Sequence, residues 1–95
     1  MSIRLTVQFS VKEGQADGFR TFMGGLAARV KQEDSGCEMY DLFQSVDSAQ
    51  RFALLESWAT AADLEGHGRS AAMKALNAGI GPYLAGRPDI QRYEA

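Results

Sequence analysis

The sequence predicts an α+β domain in which four strands and two helical connections follow the order βαββαβ. Three observations carry this reading: strict alternation of apolar and polar residues from Ile3 to Val11, apolar residues three and four apart from Ala16 to about Glu33, and a hairpin pattern between Cys37 and Trp58. At 95 residues, of which 45% are hydrophobic, the chain holds one compact core and hardly two. A single domain over residues 1–95 is expected.

The first strand reads Ile3-Arg4-Leu5-Thr6-Val7-Gln8-Phe9-Ser10-Val11, a half-buried pattern that Gly14 ends. From Ala16, residues Phe19, Phe22, Met23, Leu26, Ala27 and Val30 form one apolar stripe of a helix. Gly24 and Gly25 weaken that helix, which suggests close packing against the sheet there. After Asp34-Ser35-Gly36 come two strands, Cys37 to Val46 and Arg51 to Trp58, joined by Asp47-Ser48-Ala49-Gln50. Pairing Val46 with Arg51 puts Met39, Asp41 and Phe43 on the face of Phe52, Leu54, Glu56 and Trp58, with Tyr40, Leu42, Ala53 and Leu55 opposite. That register sets Asp41 against Glu56, so a base lies nearby, one carboxyl is neutral, or the register is different. Thr60 with Asp63 opens a short helix through His67, and Ser70 caps a second through Ala78 with Gly79 as its stop. Gly79 to Pro88 reads as a loop and Asp89 to Tyr93 as the closing strand.

Helices on one side of a four-stranded antiparallel sheet leave its other face bare. In this register the bare face carries Tyr40, Leu42, Ala53 and Leu55 beside Arg4, Thr6 and Gln8, too apolar in part for water. A two-fold homodimer packed sheet to sheet is the expected assembly.

Composition narrows the function. Ten Lys and Arg against twelve Asp and Glu, scattered singly, form no nucleic-acid footprint. One Cys and one His supply neither a disulfide nor a His/Cys metal site. With no basic segment leading into an apolar run, and no apolar run near ~18 residues, a cytoplasmic location without membrane contact is expected.

The segment Gly36-Cys37-Glu38-Met39-Tyr40, then Gln44-Ser45, then Arg51-Phe52-Ala53-Leu54-Leu55-Glu56-Ser57-Trp58, and His67 nine residues on, resembles the antibiotic biosynthesis monooxygenase family. Val11-Lys12-Glu13-Gly14 and Asp63-Leu64-Glu65-Gly66-His67 add to the likeness. The resemblance implies a ferredoxin-like protomer of a dimeric α+β barrel, with a substrate pocket between helices and sheet. It also implies oxidation of quinols or hydroxylated aromatic compounds by dioxygen without metal, haem or flavin, so no cofactor is expected. Three departures are visible. Haem-degrading relatives carry an Asn, a Trp and an axial His where this chain has Val7, His67 and Asn77. Aromatic-polyketide oxygenases share Trp58 but carry Asn and Tyr at the positions of Leu54 and Leu64. Many quinol-oxidising relatives have a second His where this chain continues Gly68-Arg69-Ser70-Ala71-Ala72.

His67 is the side chain whose ordinary pKa, about 6.5, suits proton transfer near neutrality, so it is the candidate base. The plainer alternative is a helix-end His. Glu56 shares a face with Trp58 and is the second catalytic candidate, to orient His67 or take a proton, although a structural hydrogen bond would serve a buried carboxylate equally. Trp58 is the candidate wall for a planar substrate, or a core Trp. Asn77 and Tyr83 complete the substrate-binding set, with helix-end and loop-pinning roles as alternatives. Cys37, Met23, Met39 and Met73 read as packing residues. The leading function is therefore a cofactor-free monooxygenase. The alternatives are a non-oxidative isomerase and a small-molecule-binding stress-response barrel.

Overall fold

A computed structural model describes residues 2–94, in the order β1 (Ile3–Ser10), α1 (Ala16–Glu33), β2 (Cys37–Gln44), β3 (Arg51–Trp58), α2 (Ala61–Gly68), α3 (Ala71–Gly79), a 3-10 turn over Gly81–Tyr83, and β4 (Asp89–Glu94). The strands form one antiparallel sheet ordered β2-β3-β1-β4. With the helices on one face, this is a ferredoxin-like α+β fold.

The β1 alternation becomes burial as expected: Ile3, Val7 and Phe9 turn to the helices, and Arg4, Gln8 and Ser10 are exposed. Gly14 takes φ 83° to turn the chain into α1, a conformation that favours glycine. The α1 stripe Phe19, Met23, Leu26, Ala27 and Val30 is buried, and Phe19 sits 5.2 Å from the Phe9 ring and 4.8 Å from that of Phe52. Each of the larger side chains, Phe19, Met23, Leu26 and Val30, contributes roughly 1.5–3 kcal/mol on burial. Gly24 and Gly25 do not mark a close approach: a Cβ on either would meet nothing within 4 Å. The close approaches are at Gly79, where a Cβ would stand 2.7 Å from the Phe22 ring, and at Gly18, 3.0 Å from Tyr83.

Both short helices are capped by the expected hydroxyls, Thr60 Oγ1 accepting from Asp63 N at 3.1 Å and Ser70 Oγ from Met73 N at 3.2 Å. The crossover thus folds as two helices over the sheet.

The β2–β3 register differs from the expected one by a single residue. Gln44 pairs with Phe52, Leu42 with Leu54 and Tyr40 with Glu56, so Tyr40 and Leu42 face the helices while Met39, Asp41 and Phe43 join Ala53, Leu55 and Ser57 on the open face. The cause is the connection. Ser45 Oγ accepts from the backbone N–H of Asp47 and Ser48 while Ser45 N donates to Arg51 O, which leaves Val46 fully solvent-exposed. Because side chains alternate, a slip of one exchanges the two faces. The anticipated Asp41–Glu56 opposition disappears, and Asp41 pairs with Lys31 of α1 at 2.5 Å.

Candidate active site

A cavity of 390 Å³ lies between the sheet and the α2–α3 layer, within the range of about 300–1,000 Å³ typical of small-molecule sites. All four strands contribute to its floor: Tyr40 from β2, Leu54 and Glu56 from β3, Leu5, Val7 and Phe9 from β1, and Ile90 from β4. Leu64, His67, Met73, Leu76 and Asn77 roof it, and Ile80, Leu84 and Pro88 close the side toward β4.

His67 is 5% exposed and its Nδ1 stands 2.6 Å from Oδ2 of Asp34, whose side chain is 6% exposed. A carboxylate only accepts, so Nδ1 carries the proton and donates. His67 lines the cavity, and its other ring nitrogen, Nε2, is outside that hydrogen bond. Asp34 is the C-cap of α1, an end where a helix dipole disfavours negative charge, so the pairing with His67 offsets a local cost. The α1–β2 turn is held to α2 at Gly36. This residue has φ 75°, its carbonyl accepts from Ala59 N at 2.9 Å, and a Cβ there would overlap the Asp63 carboxylate. That contact brings Asp34 under His67.

Two aromatic rings fix the imidazole. Trp58 stacks on it at 4.5 Å and 29°, and Tyr40 meets it edge-on at 5.3 Å and 66°. Trp58 Nε1 donates to Glu56 Oε1 at 3.0 Å. Burial pushes the Glu56 carboxyl above the usual carboxylate range, against the Trp58 hydrogen bond and the charge of His67. Burial, followed by the negative charges of Glu56 and Asp34, pushes the Tyr40 phenol well up, so it remains a neutral hydroxyl near pH 7.

The structure brings together His67 and Glu56, with Asn77 exposed among the cavity-lining residues of α3. Trp58, expected against the substrate, is 0% exposed and does not line the cavity; it lies behind His67 because strand register and the α2 turn stack the two rings. Tyr83 also lies outside the lining. Its ring packs on Phe22 at 5.4 Å and Phe19 at 6.2 Å, which pins the 3-10 turn to α1. Asp34 and Tyr40 were not among the candidates. The sequence signal for Asp34 was an acidic residue at a helix C-terminus, and Tyr40 was hidden by the register. Asn77 presents a carboxamide where haem-degrading relatives have an axial imidazole, so the residues do not fit a haem iron there. Among the described residues no group of three His, Cys, Asp or Glu is placed to hold a metal ion.

Fold and site together define a small α+β domain built around a mostly apolar cavity with a carboxylate-oriented histidine. The sequence pattern of the antibiotic biosynthesis monooxygenase family matches residues 2–79, and the chain belongs to that family. A candidate antibiotic biosynthesis monooxygenase from Caulobacter crescentus is 32% identical, with TM-score 0.93 over 99% of this chain and 89% of that one. A candidate of the same kind from Nitrosomonas europaea is 21% identical, with TM-score 0.93 over 99% of this chain and 89% of that one. Rv0793 from Mycobacterium tuberculosis is 18% identical, with TM-score 0.89 over 100% and 95%. The last two show the fold alone. No curated protein sequence matches the chain significantly. Among the described residues, no helix is long and apolar enough to cross a membrane.

Proposed function

We propose that the protein is a cofactor-independent monooxygenase that oxidises a quinol or another hydroxylated aromatic with dioxygen. The observation that carries this reading is His67 on the wall of an apolar cavity, paired behind it with the buried carboxylate of Asp34. His67 Nε2 removes the phenolic proton, and Asp34 holds the ring and stabilises the imidazolium that forms. The phenolate then passes one electron to dioxygen. Recombination of the radical pair forms a C–O bond at a ring carbon bearing hydrogen. The imidazolium of His67 returns its proton to the peroxide; loss of the ring hydrogen as a proton and heterolysis of the O–O bond then release water and leave a quinone, so one phenol and one dioxygen give one quinone and one water. The cavity walls exclude bulk water and hold the ring near the base. Tyr40, a neutral hydroxyl that lines the cavity, is the donor to the developing oxyanion.

The test is oxygen uptake with small quinols in air, trace metals chelated, comparing the wild type, His67→Ala and a protein-free control. Equal rates in all three would reduce the reaction to autoxidation and defeat the proposal. Product formation with no oxygen uptake would assign proton-transfer chemistry of the isomerase kind instead. Freshly purified protein is expected to show no haem or flavin absorbance.

The active assembly we propose is a homodimer through the open sheet face. Met39, Ala53 and Leu55, with Phe43 48% and Tyr93 50% exposed, supply the apolar part of that face. Arg4, Thr6 and Gln8 lie among them, as expected.

A further inference from the structure

The cavity is polarised across the sheet. Its ionisable and phenolic groups, Tyr40, Glu56 and His67, lie over β2 and β3, whereas Ile80, Leu84, Pro88 and Ile90 line the side at β1 and β4. Four strands span three inter-strand spacings, roughly 14 Å, which is longer than one aromatic ring. At the far side Ile90 is 61% exposed although it stands on the helix-covered face, opposite Val7. No Lys or Arg is among the lining residues. Arg92, on the same face of β4, is outside the lining and 3.7 Å from Glu94.

We propose that the ligand is amphipathic and uncharged: a hydroxylated aromatic head against Tyr40, Glu56 and His67, and an apolar extension running across β1 to emerge beside Ile90. This deepens the reading above by assigning the substrate class of the same cavity. A phosphate or carboxylate would enter a mostly apolar space that already holds a carboxyl group and is lined by no Lys or Arg, so a permanently anionic ligand is disfavoured there.

The experiment measures binding rather than turnover, by calorimetry on the wild-type protein with 4-alkylphenols from ethyl to pentyl and with 4-pentylbenzoate. Affinity should rise roughly two- to fourfold per methylene as the chain fills the apolar side. The benzoate should bind at least about tenfold more weakly than 4-pentylphenol, since a tenfold loss matches a modest uncompensated charge. Ile90→Asp, a change at an exposed position, should flatten the chain-length series. A flat series in the wild type, or equal affinity for phenol and benzoate, would overturn the proposal. Failure of the two ideas is separable: a steep series without oxygen uptake sinks the oxygenase reading alone, and oxygen uptake with a flat series sinks this one alone.

Discussion

The imidazole of His67 lies against the indole of Trp58, 4.5 Å between centroids, while the same indole donates Nε1–H to Glu56 at 3.0 Å. Trp58 therefore orients both ionisable groups nearest the cavity without contributing to the cavity surface. Its function is exerted through position.

His67→Ala is expected to lower the oxidation rate about a hundredfold or more, because general-base contributions are typically 10² to 10⁴. Asp34→Asn should cost less than the loss of the base, yet act through the same step. It removes the acceptor-only partner of Nδ1, so the balance of ring tautomers should change. Steady-state kinetics and ¹⁵N NMR of the ring nitrogens check both. An unchanged Nε2-basic tautomer in Asp34→Asn would count against the orienting role.

Glu56 makes stability depend on pH in a defined direction. Its pKa in the folded protein is above the ordinary 4.5, so the native state binds its proton more tightly than the unfolded chain. Its contribution is therefore present at low pH and is lost as pH rises from 4.5 through the raised value. Thermal unfolding across that window should show a weaker loss of stability with rising pH in Glu56→Gln than in the wild type. Trp58→Phe keeps an aromatic ring but deletes the donor to Glu56, and should steepen that loss.

Phe43→Asp or Leu55→Asp should split the dimer, whereas Leu42→Asp should damage the fold instead, since Leu42 packs against the core on the helix-covered side. Sedimentation at micromolar concentration and circular dichroism distinguish the two outcomes. A wild-type protein that sediments as a monomer would remove the dimer from the proposal.

Glycines of similar appearance in the sequence should respond oppositely to substitution. Gly24→Ala and Gly25→Ala place a methyl in open space on an α-helix and should each stabilise by up to about 1 kcal/mol. Gly79→Ala drives a Cβ to 2.7 Å from the Phe22 ring and should destabilise by about 1–3 kcal/mol. Denaturant midpoints measure all three.

Element order, both caps of the crossover and the α1 stripe were legible in the sequence, because each rests on spacing within one segment. The hairpin register was not. It depended on the Ser45 hydroxyl gathering two backbone N–H groups, which shortens the ladder and expels Val46. That local event moved Tyr40 from the expected dimer face to the wall of the cavity. The partners of His67 were equally hidden: Asp34 is thirty-three residues away in sequence, and the two meet because Gly36 fits against Asp63. Trp58 and Glu56 were correctly placed on one face, but their shared hydrogen bond and the depth of Trp58 arise from packing.

The extra residue in β2, where Cys37 pairs with Trp58 but Met39 already pairs with Ser57, has a bearing on how such chains diverge. Glu38 is the residue accommodated, and its carboxylate accepts from Ser57 and Ser2 on the outer side. Loss of one residue here would leave Tyr40 paired as it is and change only what precedes it. Gain or loss of one residue in the 45–50 connection instead carries Tyr40 and Leu42 outward and Met39, Asp41 and Phe43 inward, exchanging the cavity wall with the open face in one step. Length variation at these two sites, a few residues apart, therefore has unequal evolutionary reach: one trims an edge, and the other can found a new specificity.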